Sequence, residues 1–134
     1  MPIRILLVDD NEMFRSALRA LLESKPGLEV VGEAADAEQA LGLLVADPDV
    51  VITDRYLPGV DGIEVAREIK ERRPDIAVIL LSGMEDPALV AMASAAGAAA
   101  VLNKSRSLAN LIPTITRFAA DKLVSSENTP GLMI

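Results

Sequence analysis

The chain opens with the stretch Ile3-Arg-Ile-Leu-Leu-Val-Asp9-Asp10, in which a short apolar run ends in two carboxylates. A continuous apolar run of this length predicts a strand that is buried on both faces of a sheet. Four further runs of this kind follow, separated by residues with helical spacing. The five predicted strands are Ile3–Val8, Glu29–Gly32, Val50–Thr53, Ile76–Leu81 and Ala99–Asn103. This alternation predicts an α/β fold, a doubly wound parallel sheet with helices on both faces.

Helical spacing and cap residues define the segments between the predicted strands. Asp36 followed by Gln39 is a capping pattern for the second helix, and Asp86 before Pro87 is one for the fourth. The third helix is predicted from about Gly62 to Arg73. Right-handed crossovers place the first and fifth helices on one face and the other three on the opposite face. The apolar stripe predicted for the first helix consists of Phe14, Ala17, Leu18, Leu21 and Leu22.

The fifth predicted helix contains an unfavourable residue. It is expected to start near Ser107, and Pro113 then falls inside it, where a proline costs about 3 kcal/mol. The helix is therefore expected either to be kinked at Pro113 or to begin late. Residues 125–131 are polar and include proline and glycine, which predicts a frayed tail or the start of a linker.

Composition restricts the classes of function. The chain has 134 residues, 51% of them apolar and 2% aromatic, which is typical of one domain with an aliphatic core. Its formal net charge of −7 argues against binding to nucleic acid or to an anionic membrane. It contains no histidine and no cysteine, which removes Ser–His nucleophile pairs and the usual zinc sites. With no secretory signal and no membrane-spanning apolar run, a cytoplasmic location is expected.

Polar residues directly follow four of the predicted strands. Asp9 and Asp10 follow the first, Asp54 the third, Ser82 the fourth and Lys104 the fifth. Because the carboxyl ends of parallel strands lie at one edge of the sheet, these side chains are expected to meet there. Each residue alone has a simpler explanation, such as a helix cap, a turn or a solvated lysine. The combination favours a functional site.

The predicted site has the chemistry of a metal-assisted phosphoryl acceptor. Three carboxylates repel one another unless a cation joins them. Oxygen-only ligands favour a hard ion such as Mg²⁺, with Mn²⁺ as a substitute. The expected direct ligands are Asp10, Asp54 and the backbone carbonyl of Tyr56, with Asp9 acting through a water molecule. Asp54 is then a carboxylate nucleophile beside the metal.

Lys104 and Ser82 complete this predicted chemistry. Lys104 is expected to pair with one phosphoryl oxygen, and Ser82 is expected to donate a hydrogen bond to another. No general base is needed, because the carboxylate of Asp54 is already ionised. Such a site is able to work without a histidine of its own.

These residues, with Leu57-Pro58-Gly59-Val60-Asp61-Gly62 after Asp54, resemble the receiver domain of bacterial two-component response regulators. The resemblance covers about residues 3–122 and implies a flavodoxin-like (βα)5 fold with strand order 2-1-3-4-5. It implies that Asp54 accepts a phosphoryl group from the phosphohistidine of a sensor histidine kinase, or from a small phosphodonor. It also implies a signalling protein without a turnover substrate.

Beyond Lys104 the sequence is most similar to the subfamily with a LuxR-type helix-turn-helix output domain. The pair Lys104-Ser105 and the segment Leu-Val-Ser at 123–125 carry this similarity. It implies a receiver domain over residues 1–122, with 123–134 forming a tail or the start of a linker to an output domain. It also implies a role in transcription regulation and a homodimer that can depend on phosphorylation. This domain itself is not expected to bind nucleic acid or membrane.

Three departures from the family pattern change what is expected. The family usually has Tyr or Phe where this chain has Val101, and that ring turns inward on phosphorylation together with the hydroxyl residue, here Ser82. With valine at position 101, the conformational response to phosphorylation is therefore expected to differ from that of the family. Pro113 lies on a surface often used for dimers. Tyr56 and Met84 flank the pocket and are poorly suited to orient water, which predicts slow self-dephosphorylation; a phosphoryl lifetime of seconds would contradict this.

Three other functions share part of this pattern of residues. An aspartyl-phosphate hydrolase of the haloacid dehalogenase class needs an acid two residues after Asp54, where this chain has Tyr56. A flavin carrier needs a Ser/Thr/Gly-rich loop after the first strand, where Asp9 and Asp10 would repel a phosphate. A constitutive interaction module with a vestigial pocket is the third possibility, which Val101 leaves open.

Overall fold

The sheet agrees with the sequence prediction in its strands and their order. The computed structural model describes residues 2–83, 86–105 and 108–127, without the side chains of residues 108 and 120–127. Its strands are β1 (Ile3–Val8), β2 (Leu28–Ala34), β3 (Val50–Asp54), β4 (Tyr56–Leu57), β5 (Val60–Asp61), β6 (Ala77–Ser82) and β7 (Ala100–Asn103). Five of them form one parallel sheet in the order β2-β1-β3-β6-β7, and β4 pairs with β5 as an antiparallel hairpin. The flavodoxin-like fold is confirmed.

The helices cover both faces of this sheet. They are α1 (Glu12–Glu23), α2 (Ala37–Gly42), α3 (Gly62–Arg72), α4 (Pro87–Ala95) and α5 (Leu111–Glu127). Short 3₁₀ turns cover Leu43–Ala46 and Leu108–Asn110. The side chains of Asn11, Asp36, Asp61 and Asp86 each accept a backbone hydrogen bond and begin α1, α2, α3 and α4 respectively.

Alternate residues of the central strands face opposite layers of helices. On β1, Ile5 and Leu7 pack with α1 and α5, whereas Leu6 and Val8 pack with α2 and α3. This agrees with the predicted arrangement and explains why the strands are continuously apolar. In the described part of the chain, no helix is both long enough and apolar enough to cross a membrane.

The buried stripe of α1 is narrower than predicted. Leu18 and Leu22 are buried, but Ala17 and Leu21 are exposed. Leu21 borders a surface depression between α1 and α5, which Pro113 also lines. The prediction was wrong here because α5 does not cover this part of α1.

Helix α5 begins late, which resolves the position of Pro113. Because α5 starts at Leu111, Pro113 lies in its first turn, where backbone N–H groups lack partners within the helix. A proline there removes no helical hydrogen bond. The predicted start at Ser107 lies outside the described residues.

Helix α5 extends beyond the expected end of the receiver domain. The helix continues to Glu127, into the segment 125–131 that was predicted as a frayed tail or the start of a linker, and that assignment stays a prediction. Helical backbone also continues past residue 122, where the receiver domain was expected to end. Residues 128–134 lie outside the described part of the chain, and the domain boundary stays a prediction.

Candidate functional site

Three carboxylates converge at the carboxyl edge of the sheet. Asp9 and Asp10 follow β1, and Asp54 ends the adjacent strand β3. Each of the three offers one carboxylate oxygen, and these atoms all lie within 4.8 Å of one another. Asp9 and Asp54 are buried and Asp10 is exposed. We call these three residues together with Lys104 the acidic pocket.

Lys104 reaches the pocket from the end of β7. Its ammonium lies 2.8 Å from Oδ2 of Asp9 and 3.4 Å from Oδ2 of Asp54. Its backbone N–H donates to the carbonyl of Ser82, at 2.7 Å, which ties the ends of β6 and β7 together. The predicted convergence of Asp9, Asp10, Asp54 and Lys104 is therefore what the fold produces.

The electrostatics of the pocket follow from burial and charge. Burial raises the pKa of Asp54, the charge of Asp9 raises it further, and Lys104 offsets part of this rise. For Lys104, burial opposes the charged form, but the hydrogen bond with Asp9 and the attraction of Asp54 outweigh it, so its pKa is raised. The side chain of Lys104 therefore stays protonated between two buried carboxylates.

Ser82 lies at the same edge but is enclosed. It is the last residue of β6, its side chain is fully buried, and it pairs in register with Asn103 of β7. Asp54 pairs with Leu81, the preceding residue of β6. The structure therefore places Ser82 one residue from the level of Asp54, while its hydrogen bond to a phosphoryl group stays a prediction.

Tyr56 lies in the hairpin that follows Asp54. The turn of this hairpin is Pro58-Gly59, and Gly59 has φ +73°, a conformation that favours glycine. The Tyr56 ring is 58% exposed, and the Arg55 guanidinium lies 5.0 Å from its centroid. Its backbone carbonyl as a metal ligand stays a prediction, and Met84 lies outside the described residues.

Comparison with known proteins identifies the family. The family model of the response regulator receiver domain matches residues 5–116. The chain belongs to the response regulator receiver domain family. It is 39% identical over 114 residues to the transcriptional regulatory protein LiaR of Bacillus subtilis, which covers 84% of this chain and 54% of LiaR. It is 34% identical over 127 residues to the response regulator UvrY of Escherichia coli, covering 93% of this chain and 58% of UvrY.

Solved structures support the same assignment and the subfamily. A two-component response regulator of the LuxR family from Aurantimonas sp. superposes with a TM-score of 0.85 at 36% identity, covering 90% of this chain and 87% of that one. The similarity to the LuxR-type subfamily is therefore confirmed. This receiver domain spans a little more than half the length of LiaR and UvrY.

Val101 lies beside an open groove in this receiver domain. The groove has a volume of about 600 Å³ and is lined by Asp86, Pro87, Leu89, Val90, Val101, Leu102 and Asn103. We call it the α4–β7 groove. Val101 packs partly buried against the cluster that contains Leu80 and Leu89. Val101, where an aromatic residue was expected from the resemblance, therefore borders open space between α4 and β7.

Three residues that support the site were not predicted in these roles. Arg15 donates from Nη1 to the backbone carbonyl of Asp9, at 2.6 Å, and from Nε to Glu33, at 2.8 Å. The face of the Phe14 ring lies under the Lys104 ammonium. A Cβ atom on Gly62 would overlap the backbone carbonyl oxygen of Asp54. Gly62 is required because the start of α3 passes close to the end of β3, an approach that residue spacing along the chain does not reveal.

Proposed function

We propose that this receiver domain accepts a phosphoryl group on Asp54 from the phosphohistidine of a sensor histidine kinase, with Mg²⁺ bound beside it. The observation that carries the proposal is the convergence of three carboxylates within 4.8 Å, with the Lys104 ammonium against two of them. A nucleophile, a candidate metal site and a cation for the phosphoryl group then share one pocket.

The residues present fit a hard divalent cation. The donors are carboxylate oxygens from Asp9, Asp10 and Asp54, joined in our proposal by the Tyr56 carbonyl. Two of these carboxylates already attract an ammonium group, as expected for a cluster that needs positive charge. When bound, Mg²⁺ would neutralise negative charge that develops on the phosphoryl oxygens, and Mn²⁺ would serve as a substitute.

The transfer step needs few groups from the chain. A carboxylate oxygen of Asp54 attacks the phosphorus atom, and a new O–P bond forms as the P–N bond to the donor imidazole breaks. The electron pair stays on the imidazole nitrogen, which takes a proton from solvent. Lys104 would move from the carboxylates to a phosphoryl oxygen, and Ser82 would donate a hydrogen bond to another. The product is an acyl phosphate on Asp54.

Phosphorylation would change how this domain associates with a second copy of itself or with an output domain. By analogy with relatives such as the transcriptional regulatory protein LiaR, the whole protein would regulate transcription through an output domain outside these residues. The candidate surfaces are those around α4, β7 and α5, or around α1 and α5. A constitutive interaction module, the alternative, would associate identically whether or not Asp54 is modified.

The test combines binding with self-association. Wild type and Asp54→Ala are titrated with beryllofluoride, a phosphoryl mimic, at saturating Mg²⁺, and Tyr56 fluorescence reports binding in a chain without tryptophan. Light scattering on the same samples reports the oligomeric state. We expect binding and a change of state in wild type alone. Absence of binding in wild type would contradict the mechanism, and binding without any change would contradict the switch.

A further inference from the structure

The Lys104 ammonium contacts an aromatic ring as well as two carboxylates. Its Nζ atom lies 4.2 Å from the centroid of the Phe14 ring, within the range of a cation–π contact. The same atom lies 2.8 Å from Asp9 and 3.4 Å from Asp54. The sequence contains only three aromatic residues, two phenylalanines and one tyrosine, and one of the three lies against the pocket lysine.

Phe14 is held firmly in this position by the start of α1. Its backbone N–H donates to the side chain of Asn11, the N-cap, at 3.0 Å. The next residue, Arg15, donates to the Asp9 carbonyl and to Glu33 on β2. The first turn of α1 is therefore hydrogen-bonded to the strand end that supplies Asp9 to the acidic pocket.

We propose that Phe14 is a positioning residue that keeps the Lys104 ammonium at the pocket when a metal ion occupies the carboxylates. This inference rests on the proposed function. A divalent metal and the ammonium compete for the oxygens of Asp9 and Asp54, because both are cations that pair with the same atoms. The ring face attracts an ammonium but offers no lone pair to a hard metal ion.

Phe14 also has an ordinary role in packing, and the test must separate the two. The ring packs, partly buried, against the core cluster that contains Leu18 and Ile115. Phe14→Leu keeps an apolar side chain but removes the ring, whereas Phe14→Tyr keeps the ring. Phe118→Leu makes the same change at the other phenylalanine, on α5, and is the matched control.

The first measurement is the affinity for beryllofluoride at saturating Mg²⁺, by calorimetry, for wild type and the three variants. We expect Phe14→Leu to weaken it about two- to five-fold, the range that a partly exposed cation–π contact supports. Phe14→Tyr and Phe118→Leu should match wild type. Unchanged affinity in Phe14→Leu, or equal loss in Phe14→Tyr or Phe118→Leu, would overturn the proposal.

The second measurement tests the contact without metal or phosphoryl mimic. An aromatic ring shifts the NMR signals of protons above its face, so the terminal methylene protons of Lys104 should be displaced upfield in wild type and Phe14→Tyr. The displacement should vanish in Phe14→Leu. Its absence in wild type would overturn the placement of Phe14. Failure of wild type to bind beryllofluoride while the displacement is present would instead contradict the proposed function.

Discussion

The acidic pocket and the α4–β7 groove are neighbours on one sheet edge, yet they are built from opposite kinds of residues. The pocket consists of charged side chains from three strand ends, two of them buried carboxylates that share one ammonium. The groove is mainly apolar and open, with a volume of about 600 Å³ beside Val101. Ser82 of β6 pairs in register with Asn103 of β7, which itself lines the groove.

This difference suggests that the acidic pocket and the α4–β7 groove are restricted to different degrees in the residues they accept. A charge cluster must place each group within hydrogen-bond reach, so its residue types and positions are strongly restricted. An apolar groove tolerates a range of side-chain volumes. In our proposal the pocket supplies the acceptor chemistry, whereas the groove contains Val101, where an aromatic residue was expected from the resemblance. Chemistry at Asp54 and the response of the groove are therefore expected to vary independently.

The largest expected effect comes from making the same substitution, aspartate to alanine, once in the acidic pocket and once in the α4–β7 groove. Asp54→Ala should lower phosphorylation by a small phosphodonor by more than about 100-fold, because it removes the nucleophile. Asp86→Ala, in the groove, should leave phosphorylation near wild type and lower the free energy of unfolding by about 1 kcal/mol through loss of the α4 cap. Phosphorylation assays and urea denaturation check both. Equal losses of phosphorylation would remove the distinction between the regions.

Lys104 gives the next largest effect. Lys104→Met should slow phosphorylation about 100-fold, since it removes the cation that in our proposal would pair with the phosphoryl group. It should also raise the affinity for Mg²⁺, because the ammonium no longer competes for Asp9 and Asp54. Calorimetric titration with Mg²⁺ checks the second effect, with Lys25→Met, beyond the opposite end of α1, as control. Weaker binding of Mg²⁺ in Lys104→Met would contradict the competition.

The raised pKa of Asp54 predicts how stability depends on pH. An acid whose pKa is raised on folding stabilises the fold below its unfolded value, about 3.9, and loses that contribution as pH rises through the folded value. Asp54→Asn should therefore raise the free energy of unfolding at pH 7 without metal, because it removes a charge that burial and Asp9 disfavour. The gain should shrink as pH approaches about 4.

Urea denaturation across this pH range measures the effect. Asp86→Asn keeps a good cap residue and serves as the control, which should show no gain at pH 7. If Asp54→Asn proved less stable than wild type at pH 7, the carboxylate of Asp54 would be a stabilising group and the electrostatic description of the pocket would be wrong.

The smallest expected effect belongs to the groove. Val101→Phe adds a ring beside the open space and leaves every residue of the acidic pocket unchanged. We expect the affinity for beryllofluoride at saturating Mg²⁺ to stay within about two-fold of wild type, below the usual range of coupling between sites. Calorimetry measures it. A loss of about ten-fold or more would show that groove and pocket are coupled tightly.

The convergence of the pocket side chains was predictable from the sequence, because position along a strand determines position at the sheet edge. Asp9, Asp54 and Lys104 each follow or end an apolar run, and parallel pairing brings such ends together. Cap residues were predictable for the same kind of reason, because Asp36 and Asp86 act on atoms within a few residues.

The features that were missed depend on contacts between distant elements. The narrow stripe of α1 depends on where α5 passes, and the place of Phe14 under Lys104 depends on how α1 meets the end of β7. The need for glycine at position 62 arises from the approach of α3 to Asp54. Residue spacing along the chain carries no signal for these distances.

Direct transfer of a phosphoryl group tests the central claim most sharply. Wild type and Asp54→Ala are incubated with acetyl phosphate and Mg²⁺, and intact mass and peptide mapping locate any adduct. We predict that wild type gains one phosphoryl group on the peptide containing Asp54, that a metal chelator prevents the gain, and that Asp54→Ala gains none. No adduct in wild type, or an equal adduct in Asp54→Ala, would contradict the assignment of Asp54 as the acceptor.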